Sequence, residues 1–381
     1  MFDGNRWAWN LLLEKIGTRL FDKSIKESVL KEEIRPFVQK ANISKDLSIS
    51  VLNEQCFDSA FRDIFKSKKA IWEATKAKKL RDGQGFILPE RLRNKTKKDS
   101  GNSIEIRSRD FTYFKKQRVI KFFPEYFNFD RKSKQGIKIK TNLRKIGVSI
   151  DHSCRLVMTD DLFFLHIPYE KKCVPIQSTA TCALDPGVRT FLTGYNPEGG
   201  TFEISNQNKH IYDRQSLINK LQKKLQTESS KRKRKDFRRH ITDLYRKVKN
   251  CIGDMHHKVS KMLSENFSCI ILPEFSTSKM VKKKTNEKWR KINGTTAHRM
   301  LTFAHYKFRQ LLKQKVEQRR GKLIICTEEY TSMTCGQCGR LNRSLGASKT
   351  FICPYNDCKM IADRDINAAR NIYIKNHSSI R

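Results

Sequence analysis

Apolar residues recur at helical spacing from the first turns of the chain. Trp7, Leu11, Leu12, Ile16 and Leu20 fall on one stripe, which predicts a helix packed into a core. The pattern stays mostly helical and basic to about residue 112, and Lys66 to Lys79 reads as a lysine-studded helix packed through Ile71 and Trp72. The segment GQGFILPERLRNKTKKDSGN reads as a loop. Near Phe111 the period changes from helical to alternating. The runs RVIKFFP, GIKIKT, GVSIDH, CRLVMTD and LFFLHIPYE, parted by Asp, Gly, Asn and Ser clusters, predict a small antiparallel barrel or sandwich. Phe122, Phe123, Tyr126, Phe127 and Phe129 lie in this region, and core packing is the preferred reading over stacking on bases.

From Thr181 to Leu192 an apolar strand ends in Asp-Pro-Gly and a second strand leads to the turn YNPEGGTF. This is a β-hairpin with a carboxylate, Asp185, facing out of its first strand. Ile211 to Phe267 reads as one or two long helices packed through Leu217, Leu221, Leu225, Ile241, Leu244, Val248, Ile252, Val259 and Leu263. CIILPEF follows as a short buried strand ending at Glu274. A basic helix, Thr295 to Arg320, leads to the strand KLIICTE.

Charge narrows the class of partner. The 381 residues carry 79 Lys and Arg against 39 Asp and Glu, a formal net charge of +40 spread over the whole chain. A long polyanion, nucleic acid, is the partner such a field selects. A lone run such as KRKRKDFRRH, Lys231 to His240, ordinarily marks a solvated face or a nuclear localisation signal. Inside a helix, a contact to backbone phosphate is at least as good a reading. No apolar run approaches the length of a spanning helix and the N-terminus lacks a signal-peptide pattern, so the expectation is a soluble, intracellular protein with no membrane partner.

Two kinds of chemistry meet between Glu328 and Ile372. Four cysteines fall as Cys335-x2-Cys338-x14-Cys353-x4-Cys358, two close pairs parted by a polar excursion, as a tetrahedral four-thiolate zinc site requires. The chain has eleven cysteines; the seven outside these pairs read as ordinary thiols in a reducing compartment. DRDINAARN follows, where a carboxylate at the start of an alanine-rich helix is well held and, taken alone, is an N-cap.

The order of these elements says more than any one of them. A strand with Asp185, a hairpin, helices, a strand with Glu274, a helix, a strand with Glu328, a zinc insertion and a helix led by Asp365 is the order of an RNase H-like sheet. Three carboxylates on that scaffold bind two divalent ions. The stretches FDGNRWAWN, LDPGVRTFLTGYNPEGG, INKLQKKL with KVSKMLSENFSCIILPEFSTSKM, EEYTSMTCGQCG and DRDINAARNI make the chain resemble the RuvC-type nucleases of the TnpB family. The resemblance is closer still to the eukaryotic Fanzor proteins, relatives of the type V CRISPR effectors, and it covers most of the C-terminal half.

The resemblance implies an RNA-guided DNA endonuclease encoded by a transposable element, with guide RNA and target double-stranded DNA as partners. The protein would be monomeric in the ribonucleoprotein and nuclear in a eukaryotic host. A guided DNA-binding protein without cleavage, acting as a repressor or domesticated regulator, is the alternative. The implied fold is α+β and multidomain. It has a helical recognition lobe (1–112), a small β-barrel wedge domain (113–180), an RNase H-like RuvC domain (181–331), a zinc insertion (332–360) and the RuvC C-terminal helix (361–381). Asp185 matches the first catalytic position and Asp365 the last, with Asp363 the weaker reading of the same motif. Mg2+ or Mn2+ would be the catalytic ions, and one structural Zn2+ would sit on Cys335, Cys338, Cys353 and Cys358.

Two departures from the family are visible. The chain begins at its first helix where family members usually have a strand, so the expectation is either a wedge domain that is a strand short or an incomplete copy. In the middle motif Pro273 stands where the family glutamate is usual. Some Fanzor-like members carry a relocated glutamate, which by this resemblance would be Glu328 or Glu329 ahead of Tyr330-Thr331-Ser332, with Glu328 preferred and Glu274 the close second.

Overall fold

The computed structural model describes residues 2–22, 25–41, 53–82, 92–96, 102–114, 116, 118–122, 138–140, 152–159, 162–170, 172–205, 209–281, 284–285, 288–289, 292–346 and 348–379. They fall into two compact units, Met1–Glu170 and Lys171–Arg381. Among the described residues no helix is long and apolar enough to cross a membrane.

The first unit opens with three helices, α1 (Phe2–Ile16), α2 (Glu27–Ala41) and α3 (Asn53–Asp82). Leu12, Ile16 and Leu20 are buried as their spacing predicts, in a core completed by Leu30, Phe57, Phe61 and Ile64. Trp7 and Leu11 pack at its edge. The regular helix stops at Ile16, where Gly17 adopts φ +55°, and the 3-10 turn Gly17–Phe21 brings Leu20 back to the core.

Six strands follow: β1 (Asn102–Ile106), β2 (Phe111–Phe114), β3 (Val119–Phe122), β4 (Lys138–Lys140), β5 (Cys154–Thr159) and β6 (Leu162–His166). They form two three-stranded antiparallel sheets, β1-β5-β6 and β2-β3-β4, and Ile106, Phe111, Ile120, Phe122, Cys154 and Leu156 make one core between them. Phe122 is therefore core, while Phe123, Tyr126, Phe127 and Phe129 lie outside the described residues. The expected division at residue 112 runs through a sheet, because the ladder from Asn102↔Met158 to Ile106↔Cys154 needs strands from both sides of it. Charge ties these strands to α3: Arg155 grips Asp63 at 2.6 and 3.4 Å, and Arg62 holds Glu105 at 2.9 Å.

The second unit contains β7 (Thr181–Pro186), β8 (Thr190–Asn196), β9 (Gly200–Ser205), α4 (Lys209–Thr227), α5 (Lys231–Asn266) and β10 (Cys269–Pro273). After these come α6 (Thr277–Met280), β11 (Lys284–Thr285), β12 (Lys288–Trp289), α7 (Gly294–Phe303), α8 (His305–Gln318) and β13 (Lys322–Cys326). The chain closes with β14 (Thr350–Ile352), β15 (Ile361–Asp363) and α9 (Arg364–Asn376). Residues 172–180 belong to this unit rather than to the β sheets before it, and Ile176 N–H donates to the Arg319 carbonyl at 2.9 Å.

Its main sheet has the order β13-β10-β7-β8-β9, with β13, β10 and β7 parallel and β8 and β9 antiparallel. Period-two alternation sends Cys182, Leu184, Ile270 and Leu272 to one face, where they meet Val248, Val259, Leu263, Phe303, Phe308 and Leu312 of the helices. Ala183 and Ile271 go to the other face and meet Ile372 of α9, with Ile324, Cys326 and Tyr373 around them.

Two sequence expectations shift here. Leu217 is 39% exposed, and Ile218 takes the buried place with Leu221, Ile241 and Leu244. The packed row of α4 runs Ile211, Gln215, Ile218, Leu221, so Leu217 sits one residue off it. The helix expected over Thr295 to Arg320 is two helices, broken at Ala304 in the left-handed region (φ +48°, ψ +48°). Neither glycine nor proline marks that break.

Candidate active site and metal centre

Asp185 is the last outward residue of β7. It lies opposite Thr193 of β8 and on the face that carries Ala183 and α9. On the neighbouring parallel strand Ile271 is registered with Ala183, so the residue two further on that shares Asp185's row is Pro273. Pro273 is in turn registered with Cys326 of β13. Glu328 lies two residues past Cys326, beyond the end of β13, and its charge acts on Asp185.

Glu274, one residue past Pro273, falls to the opposite face by the same alternation, and its side chain is exposed. Its backbone is occupied: the N–H donates to Cys326 O at 3.0 Å and the carbonyl accepts from Arg309 at 3.1 Å. Glu329 is exposed, while Glu328 is partly buried. A tight turn fixes Glu328, because its carbonyl accepts from Thr331 N–H at 3.3 Å and Thr331 Oγ1 at 2.9 Å while Tyr330 takes φ +64°.

The third carboxylate comes from α9. Asp363 is its N-cap, with Oδ1 accepting from Asp365 N–H at 2.8 Å and Ile366 N–H at 3.2 Å. That leaves the Asp365 side chain free of capping. Ala368, Ala369 and Ile372 are buried, and small side chains at the first two positions let α9 lie close on β7 and β8. Asn367 and Asn371, one turn apart, perform a role that sequence reasoning did not assign. Asn371 Nδ2 donates to Thr331 O (2.9 Å) and Thr334 O (2.7 Å), Asn367 Nδ2 donates to Thr334 O (2.7 Å), and Asn367 Oδ1 accepts from Gly336 N–H (2.9 Å). The two amides thus clamp the turn that carries Glu328 to the helix that carries Asp365. Two buried asparagines at i and i+4 on an alanine face were the available signal.

The charges of Asp365 and Glu328 both act on Asp185. The Asp185 carboxyl is pushed up to about 8, first by burial and then by the charges of Asp365 and Glu328, with Arg364 partly offsetting. Burial raises Glu328. Asp365 is raised by burial and by Asp363, against the opposing cations Arg364, Lys349 and Arg189. A cluster of this kind holds negative charge that a multivalent cation would neutralise.

The four cysteines converge as their spacing predicts. Their sulfurs all lie within 4.8 Å of one another, and the Cys335–Cys358 and Cys338–Cys353 pairs are each 3.7 Å apart. Bonds of about 2.3 Å to one tetrahedral ion put sulfurs about 3.8 Å apart, so the cage fits a four-thiolate metal site. The first knuckle is closed by Gly339 N–H to Cys335 O and Cys335 N–H to Arg340 O, both 2.9 Å. Gly339 has φ +74°, which a side chain rarely adopts. The second knuckle is the β14–β15 hairpin, closed by Cys353 N–H to Met360 O at 2.8 Å. β15 ends at Asp363, so the cysteine module leads directly into the cap of α9.

Residues 166–284 match the family model described as "Probable transposase", and residues 305–372 match the "Cas12f1-like, TNB domain". "Putative transposase A625R" of Paramecium bursaria Chlorella virus 1 is 31% identical over 64% of this chain and 62% of its own length. "TnpB-like protein L79" of Acanthamoeba polyphaga mimivirus is 33% identical over 50% of this chain and 36% of its own. "Putative RNA-guided DNA endonuclease InsQ" of Escherichia coli (strain K12) is 26% identical over 61% and 57%. The chain thus spans less than two thirds of the length of each of these relatives. Among solved structures, a Cas12f1–sgRNA–target DNA complex aligns with TM-score 0.46 and 14% identity over 97% of this chain and 82% of that one. With the two family models laid in order over residues 166–284 and 305–372 and TnpB-like proteins among its relatives, the chain belongs to the TnpB family.

Proposed function

We propose that the protein is a divalent-metal-dependent, RNA-guided DNA endonuclease of a transposable element, with Asp185, Glu328 and Asp365 as its carboxylate set on an RNase H-like sheet. The observation that carries this reading is the convergence of Asp365 and Glu328 on Asp185, whose carboxyl is pushed up to about 8 first by burial and then by the charges of those two neighbours. Glu274 is set aside, because alternation sends it to the other face and its side chain is exposed. Asp185, Glu328 and Asp365 would hold two Mg2+ or Mn2+ ions, whose chemistry would be to furnish a water nucleophile and offset charge on the departing oxygen of a phosphodiester. The chain's own part is to hold the three carboxyl groups aimed together: Asp363 caps, Asn367 and Asn371 clamp, and α9 packs on β7.

Partners follow from charge and kinship. A net charge of +40 suits a guide RNA and target double-stranded DNA, and relatives bear the name of RNA-guided DNA endonucleases. The reading includes one structural Zn2+ on Cys335, Cys338, Cys353 and Cys358, a monomeric protein in the ribonucleoprotein, and work in the nucleus of a eukaryotic host. Sequencing the RNA that co-purifies with the protein tests it. One defined RNA species with a constant scaffold and a variable end is expected; a random sample of cellular RNA would refute guided action.

A further inference from the structure

Phe191, fully buried on β8, is flanked by two imidazoles. His256 of α5 stacks at 5.5 Å with 24° between planes, and His305 of α8 stacks at 4.9 Å with 15°. Phe275 closes on His305 edge-on at 4.8 Å. Packing alone would be served as well by an apolar ring, yet His305 does something a phenyl cannot. Its Nε2 lies 3.1 Å from the carbonyl oxygen of Gly187, and its Nδ1 is buried without a hydrogen-bond partner among the described residues. A carbonyl only accepts, so Nε2 carries the proton and the bare nitrogen is Nδ1. Burial keeps the ring neutral, holding its pKa down at about 4.

Gly187 stands two residues past Asp185. The turn between them and β8 is cross-tied by Gly187 N–H to Phe191 O at 3.2 Å, and a Cβ on Gly187 would fall 2.6 Å from Thr190 O. The Gly187 carbonyl is the point where this turn is held by a helix on the opposite side of the sheet from α9. Two unfavourable features accompany the contact: the left-handed backbone of Ala304, which starts α8 at His305, and the orphaned Nδ1.

We propose that His305 is a positioning residue for Asp185, its Nε2–H gripping the Gly187 carbonyl and fixing the turn from which the Asp185 carboxylate meets Asp365 and Glu328. The inference rests on the carboxylate-site reading given above. It gives the buried histidine a role at the far side of the sheet, where it touches neither substrate nor ion.

The test measures Mn2+ affinity of the full, zinc-replete chain by electron paramagnetic resonance, which needs no guide and no cleavage. His305→Phe keeps a ring against Phe191 and loses the donor; His305→Gln offers an amide N–H at the reach of imidazole Nε2. The expected result is Mn2+ binding weakened about tenfold in His305→Phe, as for loss of a group that orients a ligand, and restored in His305→Gln. Zinc content should be unchanged in both. Parental affinity in His305→Phe, or equal weakness in the two variants, would overturn the proposal. If His305→Phe loses its cooperative melting, His305→Asn takes its place: its amide falls a bond short, so it must bind more weakly than His305→Gln, and equality of the two overturns the proposal. Asp185→Asn separates the two levels. If it leaves Mn2+ binding intact, the carboxylate reading fails and this inference falls with it; if it abolishes binding while His305→Phe does not weaken it, the positioning role alone fails.

Discussion

Asp363 caps the helix that presents Asp365: its Oδ1 receives the Asp365 N–H at 2.8 Å and the Ile366 N–H at 3.2 Å. Two aspartates separated by one residue therefore have different tasks. Asp363→Asn, which keeps an acceptor, should leave cleavage and melting close to the parent. Asp363→Ala should cost about 1 kcal/mol of stability and retain measurable cutting. Asp365→Asn should abolish cutting with the melting temperature kept. Thermal melting and a cleavage assay on the three variants check this.

The raised Asp185 carboxyl predicts a pH-dependent trade between stability and function. Its folded-state pKa, about 8, lies above the usual 3.8, so without divalent ions the folded chain holds this proton more tightly than the unfolded chain. The associated stability is full below about pH 4 and is lost as pH rises through about 8. Asp185→Asn cannot ionise. It should therefore melt higher than the parent at pH 8 in magnesium- and manganese-free buffer, with the gain vanishing toward pH 4. Added Mn2+ should stabilise the parent and not the variant, as read by scanning calorimetry.

The cysteine module has little core of its own, with Leu345 and Phe351 as its buried side chains beside the thiols. A metal held by the four thiols would supply most of its folding energy. Elemental analysis should find one zinc per chain, and Cys353→Ser with Cys358→Ser should lose it. Hydrogen exchange over 332–360 should then accelerate, and cutting should fall as well, because β15 delivers the cap of α9.

Along the first turns of α5, Lys231, Arg232, Lys233, Lys235, Arg238 and Arg239 are exposed. If these meet phosphates, affinity for nucleic acid falls linearly on a log–log plot against salt. Neutralising Arg232, Lys235, Arg238 and Arg239 to Gln should reduce that slope by about 3 to 4. Filter binding from low to moderate salt measures it, and an unchanged slope would place the contact elsewhere.

Local pattern was enough to place much of this architecture. Apolar runs ending in Asp185 and Glu274, the cysteine pairs, and the alanine face behind Asp365 each carry their signal within a dozen residues. What pattern could not reach is non-local. The pairing of Asn102–Ile106 with Cys154–Thr159 joins segments some fifty residues apart, so no window contains it. The break at Ala304 has no punctuating residue, and the histidine it exposes to Gly187 is marked only by a three-dimensional contact. The facing of Glu274 depends on register, with Ile271 opposite Ala183 and Pro273 opposite Cys326, and Glu328 and Glu329 lie past the end of β13, where only the folded turn separates the partly buried one from the exposed one.

The most direct test of the account is divalent-dependent cleavage of a plasmid matching the co-purified RNA, by the parent ribonucleoprotein and by single alanine variants at Asp185, Glu328, Asp365 and Glu274. The account predicts cutting in Mg2+ or Mn2+ by the parent and by Glu274→Ala. It predicts background levels in Asp185→Ala, Glu328→Ala and Asp365→Ala, with RNA content and zinc unchanged. Parental cutting by Glu328→Ala alongside an inactive Glu274→Ala, or no cutting by the parent under any divalent ion, would contradict it.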